Sequence, residues 1–318
     1  MKSLTRNETA AFLLEQDRYV ILTHRRPDGD TLGSAAALCH SLRQAGKTAH
    51  VLENPDMTDR LAFLLDGLTK PEAGENDTIL CVDVASPAML QKNAAQLEGR
   101  CALRIDHHGS ATSFTPLELV DAGAGACGEI IYDILVALAL PLTKAAAEAL
   151  YVAVSTDTGC FRFANTTEHT FLVASACAGA GADIYGLNQH LFETNTLSKL
   201  RMRSWIVENL RLFADGKMAI VAIPRAVEDL LGVTEDDMDN ISSFPRTVAG
   251  VEMAATLRQT RDGQTKISLR AVPGLDAAAV CARFGGGGHK GAAGATSPLP
   301  LEEVAAAVKE AMLQTERM

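Results

Sequence analysis

The sequence predicts an α/β protein: a parallel-sheet domain with flanking helices, then a smaller mixed α/β domain. Three observations carry this. Short apolar runs alternate with helical patterns over roughly the first hundred residues, the mark of strand–helix–strand units. After Gly128 the pattern turns helical as far as about residue 213. Beyond that, strand patterns return, with Asp262-Gly263 as a hairpin signal between two of them.

In chain order, residues 5–16 read as a short amphipathic helix. Tyr19-Val20-Ile21-Leu22 opens the first strand, 19–23. A helix follows over 31–45 and stops at Gly46. Residues 48–53 form the second strand, and 58–65 a short helix ended by Gly67. The third strand is 78–82, a helix follows Pro87, and the fourth strand is 101–105. Helices are expected over 129–138, 144–154, 167–178 and 183–191. A longer helix over 197–213 connects to strands at 218–223, 248–258 and 265–271. Helices over 276–283 and 301–313 close the chain. These 318 residues divide into a first domain over 1–194, a connector over 195–215 and a second domain over 216–318.

Composition narrows the function. The chain is 47% hydrophobic and 21% charged, an ordinary globular balance. With 29 Lys and Arg against 39 Asp and Glu, its formal charge is −10. A duplex-DNA binder is expected to be basic, so the balance points to a short substrate held by local cations. No apolar run reaches the ~18 residues of a membrane span, and the first nine residues show no cleavage pattern, so a cytoplasmic protein is expected. The seven cysteines include no Cys-x-x-Cys pair and read as buried free thiols.

The chemistry gathers where strands and helices stop. His24-Arg25-Arg26-Pro27-Asp28-Gly29-Asp30 follows the first strand. Ligands of open α/β sheets bind beyond the carboxyl ends of strands. One imidazole and two carboxylates there suit a divalent metal such as Mn²⁺, although a polar surface turn would look similar. Asp83 ends the third strand, Asp106-His107-His108 ends the fourth, and Asp157 follows the helix over 144–154. A pair of metals bridged by a carboxylate needs such a scattered set. His40, His50, His169 and His190 lie outside these motifs and read as surface or hydrogen-bonded residues.

Taken together, the four motifs resemble those of the DHH phosphoesterases. Gly285-Gly286-Gly287-Gly288-His289-Lys290 resembles the signature of the C-terminal domain in the branch that degrades very short RNA. The resemblance runs from residue 24 to about 294. It implies two divalent ions, Mn²⁺ first, with Mg²⁺ or Co²⁺ as substitutes. His24 and Asp28 would hold one, Asp30, His107 and Asp157 the other, and Asp83 would bridge them. It implies catalytic roles for Asp83 and for His108, which would bind phosphate or protonate the leaving oxygen, with Asp106 orienting the histidine pair. Arg270, His289, Lys290, Gly287 and Gly288 would bind substrate in a cleft between the domains.

The implied substrates are short RNA oligonucleotides and 3′-phosphoadenosine 5′-phosphate, with phosphodiester cleavage of linear or cyclic dinucleotides as the alternative. A homodimer is compatible with the resemblance. A non-catalytic nucleotide binder should lack a metal ligand, and none is missing here. The glycine run is not a P-loop, since Lys290 is followed by Gly291. It also follows a helix, which argues against a dinucleotide fingerprint. The family often carries a basic residue after Asp-Thr-Gly, where this chain has Cys160, with Arg162 two positions on.

Overall fold

The computed structural model describes residues 2–109, 112–238 and 241–315. It comprises two compact units, Met1–Thr194 and Asn195–Met318. In the first, β1 (Lys2–Ser3), α1 (Arg6–Glu15), β2 (Tyr19–Leu22), α2 (Gly29–Gln44), β3 (Ala49–Leu52), β4 (Thr69–Lys70), β5 (Thr78–Val82), β6 (Cys101–Asp106) and β7 (Leu117–Val120) come before four helices. These are α3 (Cys127–Ala137), α4 (Lys144–Asp157), α5 (Glu168–Gly179) and α6 (Ile184–Asn188).

The seven strands form one sheet in the order β1-β7-β6-β5-β2-β3-β4. Every pairing is parallel. The apolar strand runs are buried on both faces, as parallel strands are. Tyr19 and Ile21 join the core under the helices, while Val20 and Leu22 face the opposite layer. The chain leaves β2 toward β3 and β4, then returns to place β5 on the other side of β2. That reversal opens a crevice at the carboxyl ends of β2 and β5, the usual place for a ligand.

Close helix packing sets the geometry beside this crevice. A Cβ on Gly33 of α2 would collide with the Ala149 carbonyl oxygen of α4, and one on Gly29 with the Thr156 side chain. At Gly128 of α3 a Cβ would stand 2.6 Å from Ala153 Cβ. Three glycines therefore let α2 and α3 approach α4 closely, bringing Asp30 near Asp157.

Several expected elements differ. The helix after Pro87 consists of 3₁₀ segments, Pro87–Met89 and Lys92–Arg100. Ala94 and Leu97 are the buried residues of the longer one, a three-residue spacing that matches the 3₁₀ turn rather than an α-helical stripe. The helix expected over 58–65 is reduced to a 3₁₀ turn, Ala62–Leu65. β1, β4 and β7 were not expected; they are short strands toward the sheet edges. The helix expected over 144–154 continues to Asp157, so this carboxylate ends a helix instead of lying in a loop.

The second unit contains α7 (Leu197–Asn209), β8 (Arg211–Phe213), β9 (Met218–Ile223), α8 (Arg225–Leu231), β10 (Met253–Gln259), β11 (Thr265–Ala271), α9 (Ala277–Ala282), β12 (Gly287–His289), β13 (Ala292–Ser297) and α10 (Leu301–Leu313). Its mixed sheet runs β12-β13-β11-β10-β9-β8. Only β9 and β10 pair in parallel. Gly263 takes a left-handed φ of 81° in the β10–β11 turn, as the Asp-Gly signal requires.

The stretch over 195–215 is not a single connector helix. α7 ends at Asn209, and β8 pairs with β9 through a turn in which Ala214, Asp215 and Gly216 all have positive φ. Met202 and Ile206 of α7 pack against Val221 and Ile223 of β9, which makes the helix part of the second unit's core. α8 was not expected, and β10 begins later than the expected 248. The glycine run is a strand: a Cβ on Gly286 would strike the Gly294 backbone, and Gly288 has φ 141°. Glycine is needed there for β12 to lie against β13.

Candidate metal centre

The centre is built at the β2/β5 reversal. Leu22 and Cys81 are register partners near the ends of these strands. His24 therefore emerges beside Asp83, whose N–H is held by the Ile105 carbonyl at 2.9 Å. Asp28 caps α2, accepting the N–H groups of Asp30 and Thr31 at 3.1 Å each. That bond explains why an aspartate suits this turn. Asp30, 1% exposed, lies in the first turn of α2. Its carboxylate accepts the N–H groups of Cys127 and Gly128 at the start of α3, at 2.7 and 3.0 Å. The positive end of a helix favours such a charge.

Asp83 has φ 56°. This left-handed backbone, which aspartate tolerates better than most residues, stands at the end of an otherwise extended strand. Its Oδ2 lies 3.5 Å from His24 Nε2 and its Oδ1 3.5 Å from His107 Nε2. His24 Nε2 is also 3.5 Å from Asp28 Oδ1. His107 Nε2 is 3.7 Å from both Asp30 Oδ2 and Asp157 Oδ2. Three ligand trios have their donor atoms within 4.8 Å of one another: His24–Asp28–Asp83 and Asp30–His107–Asp157, which share no residue, and Asp83–His107–His108, which overlaps both. One oxygen of Asp83 faces each histidine.

Hydrogen bonds fix which imidazole nitrogen is offered. His24 Nδ1 donates to the Arg25 carbonyl at 3.0 Å, and His107 Nδ1 to the Ala124 carbonyl at 3.2 Å. A carbonyl only accepts, so both rings present an unprotonated Nε2 to the carboxylates when neutral, the tautomer a metal needs. Asp83 Oδ1 is buried and has no hydrogen-bond partner. Burial first, and then the charges of Asp83, Asp157 and Asp28, push the Asp30 carboxyl well above its usual range. Burial likewise takes Asp157 up to about 6, with Asp28 and Asp83 adding to the rise. An orphaned oxygen among mutually repelling carboxylates and two offered imidazoles fits a pair of divalent cations.

His108 stands beside the first two trios and belongs to the third. Its Nδ1 donates to Asp106 Oδ1 at 2.8 Å, and this bond raises the imidazole's pKa. The same oxygen accepts the backbone N–H groups of His107 and His108 at 2.8 and 3.2 Å. Asp106 thus orients both histidines. His108 Nδ1 also lies 3.5 Å from Asp83 Oδ1.

Some residues that shape the site were not singled out from the sequence. Asn54 donates to the His24 carbonyl and to Thr23 Oγ1, both at 2.9 Å. Gln91 accepts from Thr23 N–H and Oγ1 at 3.0 and 2.9 Å. Asn165 donates to the carbonyls of Gly125 and Asp157 at 2.8 and 3.2 Å, tying Asp157 to the loop that holds His107. Polar residues just beyond β3 and α4 were the available signal. Gly159, Cys160 and Phe161 are left-handed in succession, and this turn leads the chain back from Asp157 toward Asn165. Arg162 is exposed, and its Nε donates to the Gly159 carbonyl at 2.6 Å.

The substrate residues expected in the second unit lie on its sheet. Arg270 and His289 both pair with Ala292, from β11 and β12 on either side of β13. Directly paired residues share a face, and the small Ala292 separates the two side chains. Arg270 is mostly buried, yet its contacts are Ser243 Oγ at 3.2 Å and the Leu269 carbonyl at 2.9 Å. Among the described residues it has no ion-pair partner, and burial lowers its pKa. Among the described residues nothing lies within 4 Å of a Cβ placed on Gly287. Lys290 follows β12, with its carbonyl accepting the Ala277 N–H at 2.8 Å.

Comparison with known proteins finds one family match within each unit. Residues 18–154 match the N-terminal domain of the DHH family and residues 220–315 the DHHA1 domain. The bifunctional oligoribonuclease and PAP phosphatase NrnA of Thermus thermophilus is 30% identical over 295 residues, 92% of this chain and 88% of that protein. The cyclic-di-AMP phosphodiesterase GdpP of Geobacillus thermodenitrificans is 24% identical over 94% of this chain but 48% of its own length. The crystal structure of an exopolyphosphatase-related protein from Bacteroides fragilis superposes with a TM-score of 0.89. It is 22% identical, covering 97% of this chain and 96% of that one, and establishes likeness of fold.

Proposed function

Because the chain belongs to the DHH family, we propose that it is a two-metal phosphohydrolase acting on short RNA and on 3′-phosphoadenosine 5′-phosphate. The observation that carries this reading is Asp83, with one oxygen 3.5 Å from each of two histidine Nε2 atoms. His24, Asp28 and Asp83 would hold one cation, and Asp30, Asp83, His107 and Asp157 the other. Two imidazoles with four carboxylates make a mixed nitrogen and oxygen set that suits Mn²⁺, with Mg²⁺ and Co²⁺ as candidates for the same site. Bound cations supply activation of water and neutralisation of phosphoryl charge.

The protein's own groups do the rest. His108, with Nδ1–H bound to Asp106, offers Nε2 to carry a proton to the leaving oxygen. Arg270, His289 and Lys290 would bind the substrate's phosphate, and Gly287 and Gly288 would allow close backbone approach to it. An arginine buried without a carboxylate is a natural partner for an anion. The NrnA relative supports the substrates, and the chain spans most of that protein's length.

The alternative, cleavage of linear or cyclic dinucleotides, is supported by GdpP, of which this chain spans about half. One experiment separates the readings. Purified protein with Mn²⁺, Mg²⁺ or Co²⁺ is given RNA dimers to pentamers, 3′-phosphoadenosine 5′-phosphate, cyclic dinucleotides and pyrophosphate in parallel. Mononucleotide release from RNA and AMP from the bisphosphate are expected. Turnover of cyclic dinucleotides alone would favour the alternative.

A further inference from the structure

We propose that Arg104 is a positioning residue that locks the Asp83 loop and the His107–His108 pair into one geometry. The proposal rests on reading the centre as a two-cation phosphoesterase site. Arg104 lies on β6, two residues before Asp106, so the two side chains point to the same face of the strand. Its side chain is 1% exposed. A buried guanidinium is costly unless it is paired and its donors are used.

The pairing comes from Glu118, its register partner on β7, with Nη2 3.1 Å from Oε2. That ion pair neutralises the charge but does not account for Nη1, and Nε is buried without a hydrogen-bond partner among the described residues. Nη1 donates to the carbonyls of Ala85 at 3.2 Å and Thr112 at 3.1 Å. Ala85 is two residues beyond the bridging Asp83, and Thr112 four residues beyond His108. The Thr112 N–H also donates to the Ala85 carbonyl at 2.7 Å, closing the two loops on each other. Phe114 covers the guanidinium at 5.3 Å.

Asp106 completes the link. Its Oδ1 is fully used by the two histidines, as described above. Its Oδ2 is buried without a hydrogen bond and lies 3.7 Å from Arg104 Nη1. One cation therefore bears on the carboxylate that orients His107 and His108 and on the carbonyl that follows Asp83.

The test must separate positioning from simple stability. Arg104→Met combined with Glu118→Gln removes both buried charges together, and the amide oxygen can still accept the Phe114 N–H that Glu118 binds at 3.2 Å. Melting temperature, Mn²⁺ affinity by calorimetry without substrate, and kcat and KM on an RNA dinucleotide are measured. The expected result is a melting temperature close to wild type, with kcat and Mn²⁺ affinity each ~10–100-fold lower and KM little changed. A folded double variant with wild-type kcat and Mn²⁺ affinity overturns the proposal.

If that variant does not fold, Arg104→Lys decides. It keeps the charge for Glu118 but lacks the planar fork that reaches both carbonyls. The same losses support positioning, and wild-type behaviour overturns it. A wild-type protein inactive on RNA and on the bisphosphate would overturn the functional reading instead. The Mn²⁺ titration would then decide the role of Arg104 alone.

Discussion

A carboxylate that serves two cations must aim its two oxygens apart, and Asp83 does so from a left-handed backbone that turns it out of β5. Asp83→Ala is expected to abolish turnover with Mn²⁺, because on the proposed assignment it would remove a bond to both ions. Steady-state kinetics on the folded variant, with metal content measured, would show this; near-normal rates would remove Asp83 from the bridge. Arg270 is the corresponding residue on the second unit. If it grips a phosphate, Arg270→Ala should weaken nucleotide binding by ~1.5–3 kcal/mol, one to two decades. A small activated phosphodiester should be cleaved at nearly the original rate. Equal loss on both substrates, with metals retained, would place Arg270 in the chemical step.

At the scale of elements, the ligand spacing depends on how closely helices pack. Asp30 lies in the first turn of α2 and Asp157 at the end of α4, and Gly29 and Gly33 let these helices meet. Gly33→Ala sets a methyl against the Ala149 carbonyl, which is backbone and cannot swing aside. A cost of ~1–3 kcal/mol is expected. That corresponds to a lower melting temperature by about 2–4 °C for each kcal/mol in a domain of this size. Mn²⁺ affinity should fall with it, since the collision would move Asp30 relative to Asp157. Gly99→Ala is the control, because among the described residues nothing lies within 4 Å of a Cβ placed there. Similar effects from both substitutions would mean that the α2–α4 contact does not set the site.

For the whole molecule, charge is the organising fact. The chain carries a formal −10, and part of that excess is gathered where cations are proposed to bind. Without cations, Asp28, Asp30, Asp83 and Asp157 crowd negative charge into one place, with Asp30 and Asp83 buried. Chelation should therefore lower the melting temperature, and Mn²⁺ should restore it. At a hundredfold excess over Kd the gain would be ~2.7 kcal/mol for one site. A melting temperature insensitive to both chelator and Mn²⁺ would contradict the metal assignment. The acidic balance also gives no footprint for long nucleic acid. Rates per end should fall from RNA dimers to twenty-mers in a time course, and equal rates would refute a short-substrate enzyme.

The metal motifs were legible because each stands at the end of a strongly patterned element. Apolar runs place β2, β5 and β6, and the residues after them must then lie at one edge of a parallel sheet. Helical periodicity gave α2, α3 and α4 to within a few residues. The short strands β1, β4, β7 and β8, two to four residues each, were not legible, because so few residues carry no measurable period unless they form an apolar run like β2. Pairing with a neighbour, not local preference, makes them strands. That the glycine run would form a strand was likewise not legible, since the need for glycine at 286 and 288 exists only when β13 lies beside it.

The sequence by itself determined which side chains could bind metal and that the ends of strands and helices would carry them. Only the tertiary structure decided which atoms face each other. It turned Asp83 between two histidines, offered Nε2 rather than Nδ1 from His24 and His107, and set Arg104 beneath both loops. The physical reason is that distances among residues 24, 83, 107 and 157 depend on strand order and helix contact. Neither is written in any local run of residues.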